Sequence, residues 1–412
     1  MKQNTTYKQT ELGLIPEDWE VKKLGELGFF FKGKGVPKTS IETEGKYKCL
    51  TYGDLYTKYD YVIKNVKSFI NDASDSQEIN FGDICIAGSG ETIEDIGKCA
   101  VFIDDKTGYA GGDIIIFRSD ENPLTLSYIL NSDLCKRQKY RLGQGHSVVH
   151  IYSSQLQNLK IPLPPLPEQK KIADCLSTWD SAIEKQSALI NALTDRKKAL
   201  MQQLLTGKKR LPGFEGEWKE VSLIELADFR RGSFPQPYGL PEWYDNENGE
   251  PFIQVYDVGD NFNLKPTTKS KISELAQVQS VFIKKGTLIV TLQGSIGKVA
   301  ITNYDAYIDR TLLLFSSFKM KVDIYFIMYQ IHNLFNIEKE KAPGGIIKTI
   351  TKEVLSNFKI KLPSFEEQTA IAEILATADR ELQLQKEKLA QLQTQKKGLM
   401  QVLLTGKKRL IN

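Results

Sequence analysis

The octapeptide LLTGKKRL occurs twice in this 412-residue sequence, at residues 204–211 and at residues 403–410. Shifting the sequence by 199 residues aligns residues 161–211 with residues 360–410 without a gap, and about half of the aligned residues are identical. The same shift pairs Trp19 with Trp218 and Gly33 with Gly232. Solenoid repeats are much shorter, roughly 20–50 residues. The long period therefore indicates a tandem duplication of one whole module.

Each copy contains a seven-residue apolar repeat that persists over ten positions. The seam positions are Ile172, Leu176, Trp179, Ile183, Gln186, Ile190, Leu193, Lys197, Leu200 and Leu204 in the first copy, and Ile371, Leu375, Ala378, Leu382, Gln385, Leu389, Leu392, Lys396, Leu399 and Leu403 in the second. Alternating spacings of four and three predict two coiled-coil helices. Prolines precede the first helix, and Gly207 and Gly406 occupy the position of a left-handed cap. About 40 residues give a rod of roughly 60 Å.

Because each half contains one such helix, we expect the two helices to pack on each other as an antiparallel pair with pseudo-two-fold symmetry. The polar seam residues Gln186, Gln385, Lys197 and Lys396 have two open interpretations: buried groups that fix the register, or solvated groups at splayed ends. The basic tails at residues 208–210 and 407–409 favour a role at the helix end, where cations complement the helix dipole. Binding of nucleic acid is the alternative for these tails.

The remainder of each half reads as a small α/β domain. Short β-rich runs occur at residues 84–87, 114–117, 287–292 and 311–315, and helical patterns at residues 124–138 and 323–333. The predicted fold class is α/β, with two such domains joined by the long helices as a tandem repeat. The predicted boundaries are an N-terminal segment at 1–16, a first domain at 17–160, a helix and linker at 161–216, a second domain at 217–359 and a second helix at 360–412.

Whole-sequence properties exclude several classes of protein. The composition, 41% hydrophobic and 26% charged, is typical of a soluble globular protein. The N-terminus lacks an apolar stretch, so we do not expect a secretory signal, and no apolar run reaches the length of a membrane span. The five cysteines form no C-x-x-C pair and are predicted to be reduced. His146 and His150 lack a third ligand nearby, which argues against a zinc site. No nucleophile motif, dinucleotide fingerprint or N-P-P-aromatic tetrapeptide is present.

Gly97-Lys98 and Gly297-Lys298 do not complete a phosphate-binding loop. That motif needs a glycine five residues before the Gly-Lys pair and Ser or Thr after it. Thr92 and Cys99 occupy these places in the first half, and Leu292 and Val299 in the second. We therefore predict turns between strands, with exposed lysines.

Two diverged domains on a duplicated scaffold suggest two readers with different ligands, and their loops contain groups suited to DNA. Lys and Arg bind phosphates, while Arg, Asn and Gln can bind base edges in pairs of hydrogen bonds. Taken singly, each such residue is typical of a solvated surface; matched clusters beside glycine turns strengthen the prediction. The candidates are Lys32, Lys34, Lys38, Lys98, Arg137, Arg141, Gln144 and His146 in the first half, and Arg230, Arg231, Gln236, Tyr238, Gln293, Ser295, Lys298, Arg310 and Lys348 in the second.

The sequence resembles the specificity subunits of type I restriction–modification systems over essentially its whole length. The resemblance rests on LPPLPEQ at residues 163–169, its weaker copy LPSFEEQ at 362–368, the helices that follow, and the LLTG endings. It also includes the entries to the two halves, Pro16-x-x-Trp19 and Gly216-x-Trp218. The residues 10–20 resemble residues 211–219, which suggests a circular arrangement in which the N-terminus completes the end of the second helix.

The resemblance implies a non-catalytic, cytoplasmic, prokaryotic DNA-binding protein. Each target-recognition domain would bind half of a bipartite double-stranded site, and the helices would set the gap. Two modification subunits would dock on the helices and methylate adenine, and restriction subunits would add translocation and cleavage. No cofactor is expected on this chain; S-adenosylmethionine, ATP and Mg would belong to the partners. If both readers meet one face of DNA, their centres should lie near a multiple of about 34 Å apart.

Two alternatives remain open at this point. One is a coiled-coil scaffold or homodimer whose α/β domains bind other proteins. The other is a fragment of a fused methyltransferase, which would require a cofactor fingerprint that the sequence lacks. Sequence-dependent DNA binding separates the first alternative from the DNA reader.

Overall fold

A computed structural model of the protein describes residues 6–145, 148–341, 355–356 and 358–411. The chain forms two compact units. The first contains residues 1–186 and 388–412, and the second contains residues 187–387. Each unit therefore combines one α/β domain with the first part of one long helix and the last part of the other. The two units divide the chain inside the long helices, whereas the predicted domain boundaries lie at the helix ends. This division therefore does not test those boundaries, which remain predictions.

The first unit is built mainly of short strands. These are β1 (Tyr7–Thr10), β2 (Gly13–Pro16), β3 (Glu20–Lys23), β4 (Gly28–Lys32), β5 (Tyr47–Leu50), β6 (Val62–Ile63), β7 (Phe69–Ile70), β8 (Gln77–Ile79), β9 (Ile84–Ala87), β10 (Ser89–Gly90), β11 (Cys99–Phe102), β12 (Gly108–Ala110), β13 (Ile114–Ser119), β14 (Val149–His150) and β15 (Lys160–Leu163). The helices are α1 (Tyr52–Thr57), α2 (Pro123–Leu130), α3 (Asp133–Leu142), α4 (Ser153–Leu156) and parts of α5 (Leu166–Leu204) and α9 (Phe365–Leu403).

Two sheets form the centre of the first unit. Among its described strands, one sheet has the order β4-β13-β9-β11-β6 and the other β7-β5-β12-β8. Ile84 and Ile86 of β9 pack towards α2 and the long helices, while Cys85 and Ala87 pack towards the second sheet. Because β9 is buried on both faces, its sequence is a continuous apolar run rather than an alternating one. The predicted strand at residues 84–87 is confirmed.

The second unit repeats this architecture. Its strands are β16 (Lys219–Ser222), β17 (Ala227–Arg231), β18 (Glu250–Ile253), β19 (Ser270–Ile272), β20 (Val281–Ile283), β21 (Leu288–Thr291), β22 (Val299–Ile301), β23 (Ala306–Ile308), β24 (Leu312–Phe318) and β25 (Lys359–Leu362). The remaining helices are α6 (Leu223–Leu226), α7 (Glu274–Gln277) and α8 (Ile324–Lys341). Among the described strands the sheets have the orders β17-β24-β21-β22 and β19-β18-β23-β20. These match the sheets of the first unit strand for strand, except that a single parallel bridge between Asn263 and Ile301 takes the place of β6.

The helical pattern predicted at residues 124–138 is confirmed, and it is divided into two helices, α2 and α3. Asn131 ends α2, and its amide nitrogen donates to the Cys99 carbonyl (2.7 Å) and the Ser127 carbonyl (2.9 Å). Ser132 then caps α3, because its hydroxyl accepts from the Cys135 N–H (3.4 Å). A polar pair that binds local backbone groups interrupts a helix despite a continuous apolar pattern.

The long helices α5 and α9 have 39 residues each and run antiparallel within each unit. In the first unit, Ile172 and Leu176 of α5 share a core with Met400 and Leu403 near the end of α9. In the second, Leu204 near the end of α5 shares a core with Ile371 and Leu375 of α9. The apolar seam residues are all buried or half-buried, whereas Leu189 and Leu384, which lie off the seam, are 43% and 62% exposed.

The seam lysines are paired rather than solvated. Lys396 forms an ion pair with Asp180, and Lys197 forms one with Asp379. Gln186 is also buried, with 6% of its surface exposed, while Gln385 is half-buried. For the lysines, the structure supports the interpretation as buried groups.

The arginine at the end of each basic tail binds the glutamate that begins the opposite helix. In the first unit, Arg409 donates to both oxygens of Glu168 (2.8 and 3.0 Å) and to Asp18 (2.7 and 2.8 Å). Trp19 Nε1 also donates to Glu168 (2.9 Å). These contacts hold residues 16–19 at the end of α9.

The second unit repeats the clamp, with a backbone carbonyl in place of the Asp18 carboxylate. Arg210 donates to both oxygens of Glu367 (2.7 and 2.8 Å) and to the Gly216 carbonyl (2.7 Å). Its guanidinium carbon lies 5.7 Å from the centroid of the Trp218 ring. These arginines are therefore structural, whereas Lys208, Lys209, Lys407 and Lys408 are exposed.

The glutamine after each clamp glutamate joins the helix to its domain. Gln169 Oε1 accepts from the Asn122 N–H (3.0 Å), and Gln368 Oε1 accepts from the Asp323 N–H (3.0 Å). Both glutamines also donate to a carbonyl of the preceding proline segment, Pro164 (2.8 Å) and Pro363 (3.0 Å). The Glu-Gln pair of the repeated motif thus links three elements in each unit.

No helix in the described part of the chain is both long and apolar enough to cross a membrane. The cysteines are unpaired; Cys49, Cys85, Cys99 and Cys135 are buried and Cys175 is half-buried, as expected for reduced thiols.

Candidate nucleic-acid interface

In the second unit, four connections meet at one edge of the two sheets. Three of them follow β17, β18 and β21, and the fourth joins β23 to β24. Backbone hydrogen bonds hold them together: the Gly232 N–H donates to the Leu312 carbonyl (3.1 Å), and the Leu292 N–H to the Thr311 carbonyl (2.8 Å). The Asp309 N–H donates to the Ile253 carbonyl (3.0 Å). We call this set of connections the four-loop edge.

The first unit has the same edge, formed by the connections after β4, β5 and β9 and between β12 and β13. The Gly33 N–H donates to the Ile114 carbonyl, the Gly88 N–H to the Asp113 carbonyl and the Gly111 N–H to the Leu50 carbonyl, each at 2.8 Å. The Ile151 N–H then donates to the Gly88 carbonyl (2.9 Å), which adds β14 to the edge. Two domains of very different sequence therefore present the same arrangement of loops.

Gly33 and Gly232, which the sequence shift pairs, have the same role in this arrangement. A Cβ on Gly33 would lie 2.0 Å from the Gly111 carbonyl oxygen, and one on Gly232 would lie 2.3 Å from that of Ile308. Any side chain at Gly33 would push the loop after β4 away from the connection between β12 and β13, and any side chain at Gly232 would push the loop after β17 away from the connection between β23 and β24. Glycine is required here because the backbones approach so closely.

Tyrosines, an arginine and a glutamine cluster on the four-loop edge of the second unit. Tyr238 donates its hydroxyl to Asp309, which is 1% exposed, and accepts from Gln254 Nε2 (2.8 Å). The Tyr256 hydroxyl donates to Oε1 of the same Gln254 side chain. The Arg310 guanidinium carbon lies 5.4 Å from the centroid of the Tyr238 ring.

The pKa of Tyr238 is raised, first by burial and then by the hydrogen bond to the Asp309 carboxylate. The hydroxyl therefore stays protonated and remains a donor to Asp309. Tyr238 and Tyr256 are nonetheless 39% and 41% exposed. The result is a fixed aromatic surface with a cation beside it, suited to stacking and to hydrogen bonding of base edges.

In the first unit, the corresponding edge contains a histidine and a serine. Ser89 Oγ and His150 Nδ1 are 2.9 Å apart, and the rings of His150 and Tyr152 stack with centroids 6.5 Å apart. Gln144 forms backbone hydrogen bonds with His150 in both directions (2.8 and 3.0 Å) and exposes its side chain. The edge also contains exposed carboxylates at Glu91, Glu94 and Asp95, which repel phosphate but can accept from a cytosine amino group.

The structure brings together part of the predicted set in each unit. Tyr238 and Arg310 are in contact, and Arg230 and Arg231 end β17 at the same edge, beside the exposed Gln236, Gln293 and Ser295. In the first unit, Lys32, Lys34 and Lys38 are exposed on and after β4. Arg137 and Arg141 are exposed on α3 rather than in the edge loops. His146 and Lys348 lie outside the described residues.

Lys98 and Lys298 were predicted to be exposed, and this prediction is wrong. Their side chains are 28% and 34% exposed, and each faces an aspartate: Lys98 Nζ is 3.9 Å from Asp60, and Lys298 Nζ is 2.6 Å from Asp260. Burial lowers the pKa of Lys98. Both lysines precede a buried strand, β11 or β22, whose pairing draws them towards the domain.

Sequence reasoning did not include Ser89, His150, Tyr152, Gln254 and Tyr256 among the candidate DNA-binding residues. These side chains follow or belong to short strands that the sequence did not reveal, β18, β10 and β14. A polar or aromatic residue directly after a buried apolar run was the available signal, as at Gln254 after Ile253. Among the described residues, no group of three or more His, Cys, Asp or Glu is placed to hold a metal ion.

Comparison with known proteins identifies the family. The family model described as "Type I restriction modification DNA specificity domain" matches twice, at residues 16–195 and 215–394. A protein of Methanocaldococcus jannaschii named as the type I restriction enzyme MjaVIII specificity subunit is 29% identical over 97% of this chain and 95% of its own. Another from that organism, provisionally named as the MjaX specificity subunit, is 30% identical over 98% of this chain and 97% of its own.

The fold is also found in a solved structure. The type I restriction–modification S subunit of M. genitalium superposes with a TM-score of 0.58 at 17% identity, covering 98% of this chain and 97% of that one. The two matches to the family model correspond to the two halves of the internal repeat. The chain belongs to the family of type I restriction–modification DNA specificity subunits.

Proposed function

We propose that this chain selects the DNA site of a type I restriction–modification complex by reading two half-sites, one with each four-loop edge. The observation that carries the proposal is the repetition of one loop arrangement in two domains whose loop side chains differ. A shared architecture suits a shared ligand, DNA, and different side chains suit different base sequences. The family membership supports the same conclusion.

The chemistry of the edges fits contacts to both backbone and bases. Exposed Lys34 and Lys38 in the first unit, and Arg230 and Arg231 in the second, suit phosphates. Arg310 suits a guanine edge, for which bidentate arginine contacts are the commonest, and the exposed tyrosine rings suit apolar or stacking contacts. We infer that the bases are read mainly by Arg310, Tyr238 and the neighbouring loop in the second unit, and by Gln144, His150 and Tyr152 in the first.

The proposal assigns the long helices two roles. As continuous helices shared by both units, they would fix the gap between the half-sites, and their outer faces would dock two modification subunits. Adenine methylation with S-adenosylmethionine, and ATP- and Mg-dependent cleavage where a restriction subunit is present, would reside in those partners. This chain would be the non-catalytic subunit of the complex.

Co-purification with the products of neighbouring genes, followed by genome-wide mapping of methylated adenine, tests the proposal. We expect a stable complex and one bipartite methylated motif that disappears when the gene is deleted. A protein scaffold, by contrast, would leave the methylation pattern unchanged on deletion. Purified complex that shows no sequence-dependent DNA binding at physiological salt would contradict the proposal.

A further inference from the structure

A half-buried aspartate on α5, Asp180, joins the α/β domain of the first unit to both long helices. We call the α/β domain of each unit, which presents the four-loop edge, its reading domain. Asp180 accepts from the hydroxyl of Tyr128 in α2 and from the ammonium group of Lys396 in α9. Tyr128 is completely buried, and the Lys396 side chain is 5% exposed. The Lys396 ammonium also lies 3.7 Å from the centroid of the Tyr61 ring, a second residue of the reading domain.

The second unit contains the same network with the helices exchanged. Asp379 of α9 accepts from the hydroxyl of Tyr329 in α8 (2.6 Å) and from the ammonium group of Lys197 in α5. The Lys197 ammonium lies 5.0 Å from the centroid of the Phe262 ring, which occupies the place of Tyr61. We call these two sets of residues the Tyr–Asp–Lys networks.

The duplication has retained these networks in a background of change. Asp180 and Asp379 are identical after the shift of 199 residues, as are Lys197 and Lys396, although about half of the aligned positions differ. The tyrosines have been retained as well, although they belong to the strongly diverged reading domains. Retention in both halves indicates that the networks serve a purpose that the two halves share.

A network of this kind restricts orientation in a way that apolar packing does not. Apolar contacts are non-directional, so a reading domain could rotate slightly on its helices at little cost. A carboxylate shared by a buried tyrosine hydroxyl and a largely buried ammonium group holds these partners in one arrangement, because displacement leaves the hydroxyl unpaired and the ammonium charge uncompensated. Burial lowers the pKa of Lys396 while the Asp180 carboxylate acts in the opposite direction.

We propose that the two Tyr–Asp–Lys networks are positioning residues that fix the orientation of each reading domain on its helices and so restrict the recognised site to one gap length. The inference rests on the proposed function. A gap longer by one base pair would displace a half-site by roughly 3.4 Å and rotate it by roughly 34° about the DNA axis. Small freedom at the attachment of a reading domain is therefore enough to admit a neighbouring gap.

The alternative is that the networks contribute stability alone, and substitution can separate the two roles. Replacing a buried ion pair by apolar residues of similar volume is often neutral or stabilising. The triple variant Tyr329→Phe, Asp379→Leu, Lys197→Leu should therefore fold while losing the directional contacts. Its matched control is Arg196→Ala with Glu381→Ala, which removes an ion pair between neighbouring residues of the same helices whose side chains are 53% and 41% exposed.

The experiment uses the complete complex, co-purified with its methyltransferase subunits. Duplexes that share both half-sites and differ only in gap, from two base pairs shorter to two longer, compete for methylation. We expect wild type and the control variant to prefer one gap by about tenfold or more, and the triple variant to show a preference of about threefold or less. Base preference within each half-site should be unchanged. Lys197→Arg, which keeps the ion pair, should retain the wild-type preference.

The outcomes separate this inference from the proposed function. Wild-type complex that methylates no bipartite site contradicts the proposed function itself. A folded triple variant with wild-type gap preference overturns the inference and leaves the function intact. If the triple variant does not fold, Tyr329→Phe decides, because it removes only the hydroxyl that links the reading domain to the helix. A relaxed gap in that variant supports the inference, and an unchanged gap overturns it.

Discussion

At the scale of single residues, Glu168 is the most heavily used acceptor of the helix scaffold in the first unit. Its carboxylate is 3% exposed and binds Arg409, Trp19 Nε1 and the Leu410 N–H. Arg409 is itself 8% exposed, and hydrogen bonds to Glu168 raise its pKa. The pair explains why a glutamate follows the proline segment in both copies of the motif.

Glu168→Ala leaves the Arg409 guanidinium buried with only Asp18 to neutralise it. We expect a loss of about 3–5 kcal/mol in the free energy of unfolding, the usual cost of removing one partner of a buried pair. The control is Glu184→Ala on the same helix, which removes an exposed pair with Lys64 (2.6 Å) and should cost less than about 1 kcal/mol. Urea denaturation measures both. Equal losses would contradict the assignment of Glu168 as a structural clamp.

Asp104 should make the first unit sensitive to acid. Burial acts to raise its pKa, but the Lys48 ammonium and the Val66 N–H (2.9 Å) outweigh burial and hold the pKa below its usual range. A carboxylate with a depressed pKa stabilises the fold above its unfolded pKa of about 3.9, and that stabilisation is lost as pH falls towards the folded value. The unfolding free energy of wild type should therefore fall steeply below about pH 4.

Asp104→Asn should lower stability at neutral pH by about 2–3 kcal/mol and flatten this acid-side slope. Asp105→Asn is the matched control: Asp105 also contacts Lys48 (3.2 Å), but its side chain is 80% exposed. We expect less than about 1 kcal/mol from that change. Denaturant unfolding between pH 3 and pH 7 provides the measurement, and identical slopes for the two variants would show that Asp104 is not responsible.

Arg310 should determine one position of one half-site. Arg310→Ala should cost about 1–3 kcal/mol of discrimination at that base pair and leave the other half-site unchanged. Lys285→Ala is the control, because Lys285 is exposed at the opposite edge of the same sheet, where its N–H binds Asp305 (2.7 Å). Methylation of a randomised half-site library measures the preference. A uniform loss across all sequences would indicate a phosphate contact instead.

At the scale of elements, the heptad pattern was sufficient to predict α5 and α9. A seam that is buried or half-buried over ten positions imposes a strong periodic signal. The helices begin and end where proline and glycine indicated. The break between α2 and α3 was not predictable in the same way. Asn131 and Ser132 are tolerated inside helices, and the break depends on Asn131 finding the Cys99 carbonyl on another strand.

The candidate site was predictable only in part, for a related reason. Gly33 and Gly232 indicated the correct edge, because only glycine fits where two backbones approach so closely. The contact between Tyr238 and Arg310 depends on β18 and β23 running parallel side by side, which brings loops more than 50 residues apart into one cluster. Pairing between distant strands cannot be read from local patterns. Gln254 and Tyr256 were missed for that reason.

Lengthening the long helices should change the gap and nothing else. Inserting one helical turn near Gln186 and near Gln385 adds roughly 6 Å to each helix. That corresponds to about two base pairs of DNA. Mapping of methylated sites for the variant should show the same half-site bases with a longer gap. An altered half-site with an unchanged gap would contradict the role of the helices as a spacer.

At the scale of the whole molecule, the duplication separates what is shared from what differs. The clamps, the Glu-Gln pairs and the Tyr–Asp–Lys networks occur once in each unit, built from equivalent residues. The side chains on the two four-loop edges have no such correspondence: Ser89, His150 and Tyr152 in one, Tyr238, Gln254 and Arg310 in the other. We therefore expect the two half-sites to differ and to be read independently.

Exchange of one reading domain tests this central claim most directly. Residues 217–359 would be replaced by the corresponding segment of a relative with a different methylated motif, and methylated adenines would be mapped genome-wide. The account predicts a bipartite motif in which one half-site changes, while the other half-site and the gap are retained. A motif in which both half-sites change, or an unchanged motif, would contradict the account of two independent readers on a shared scaffold.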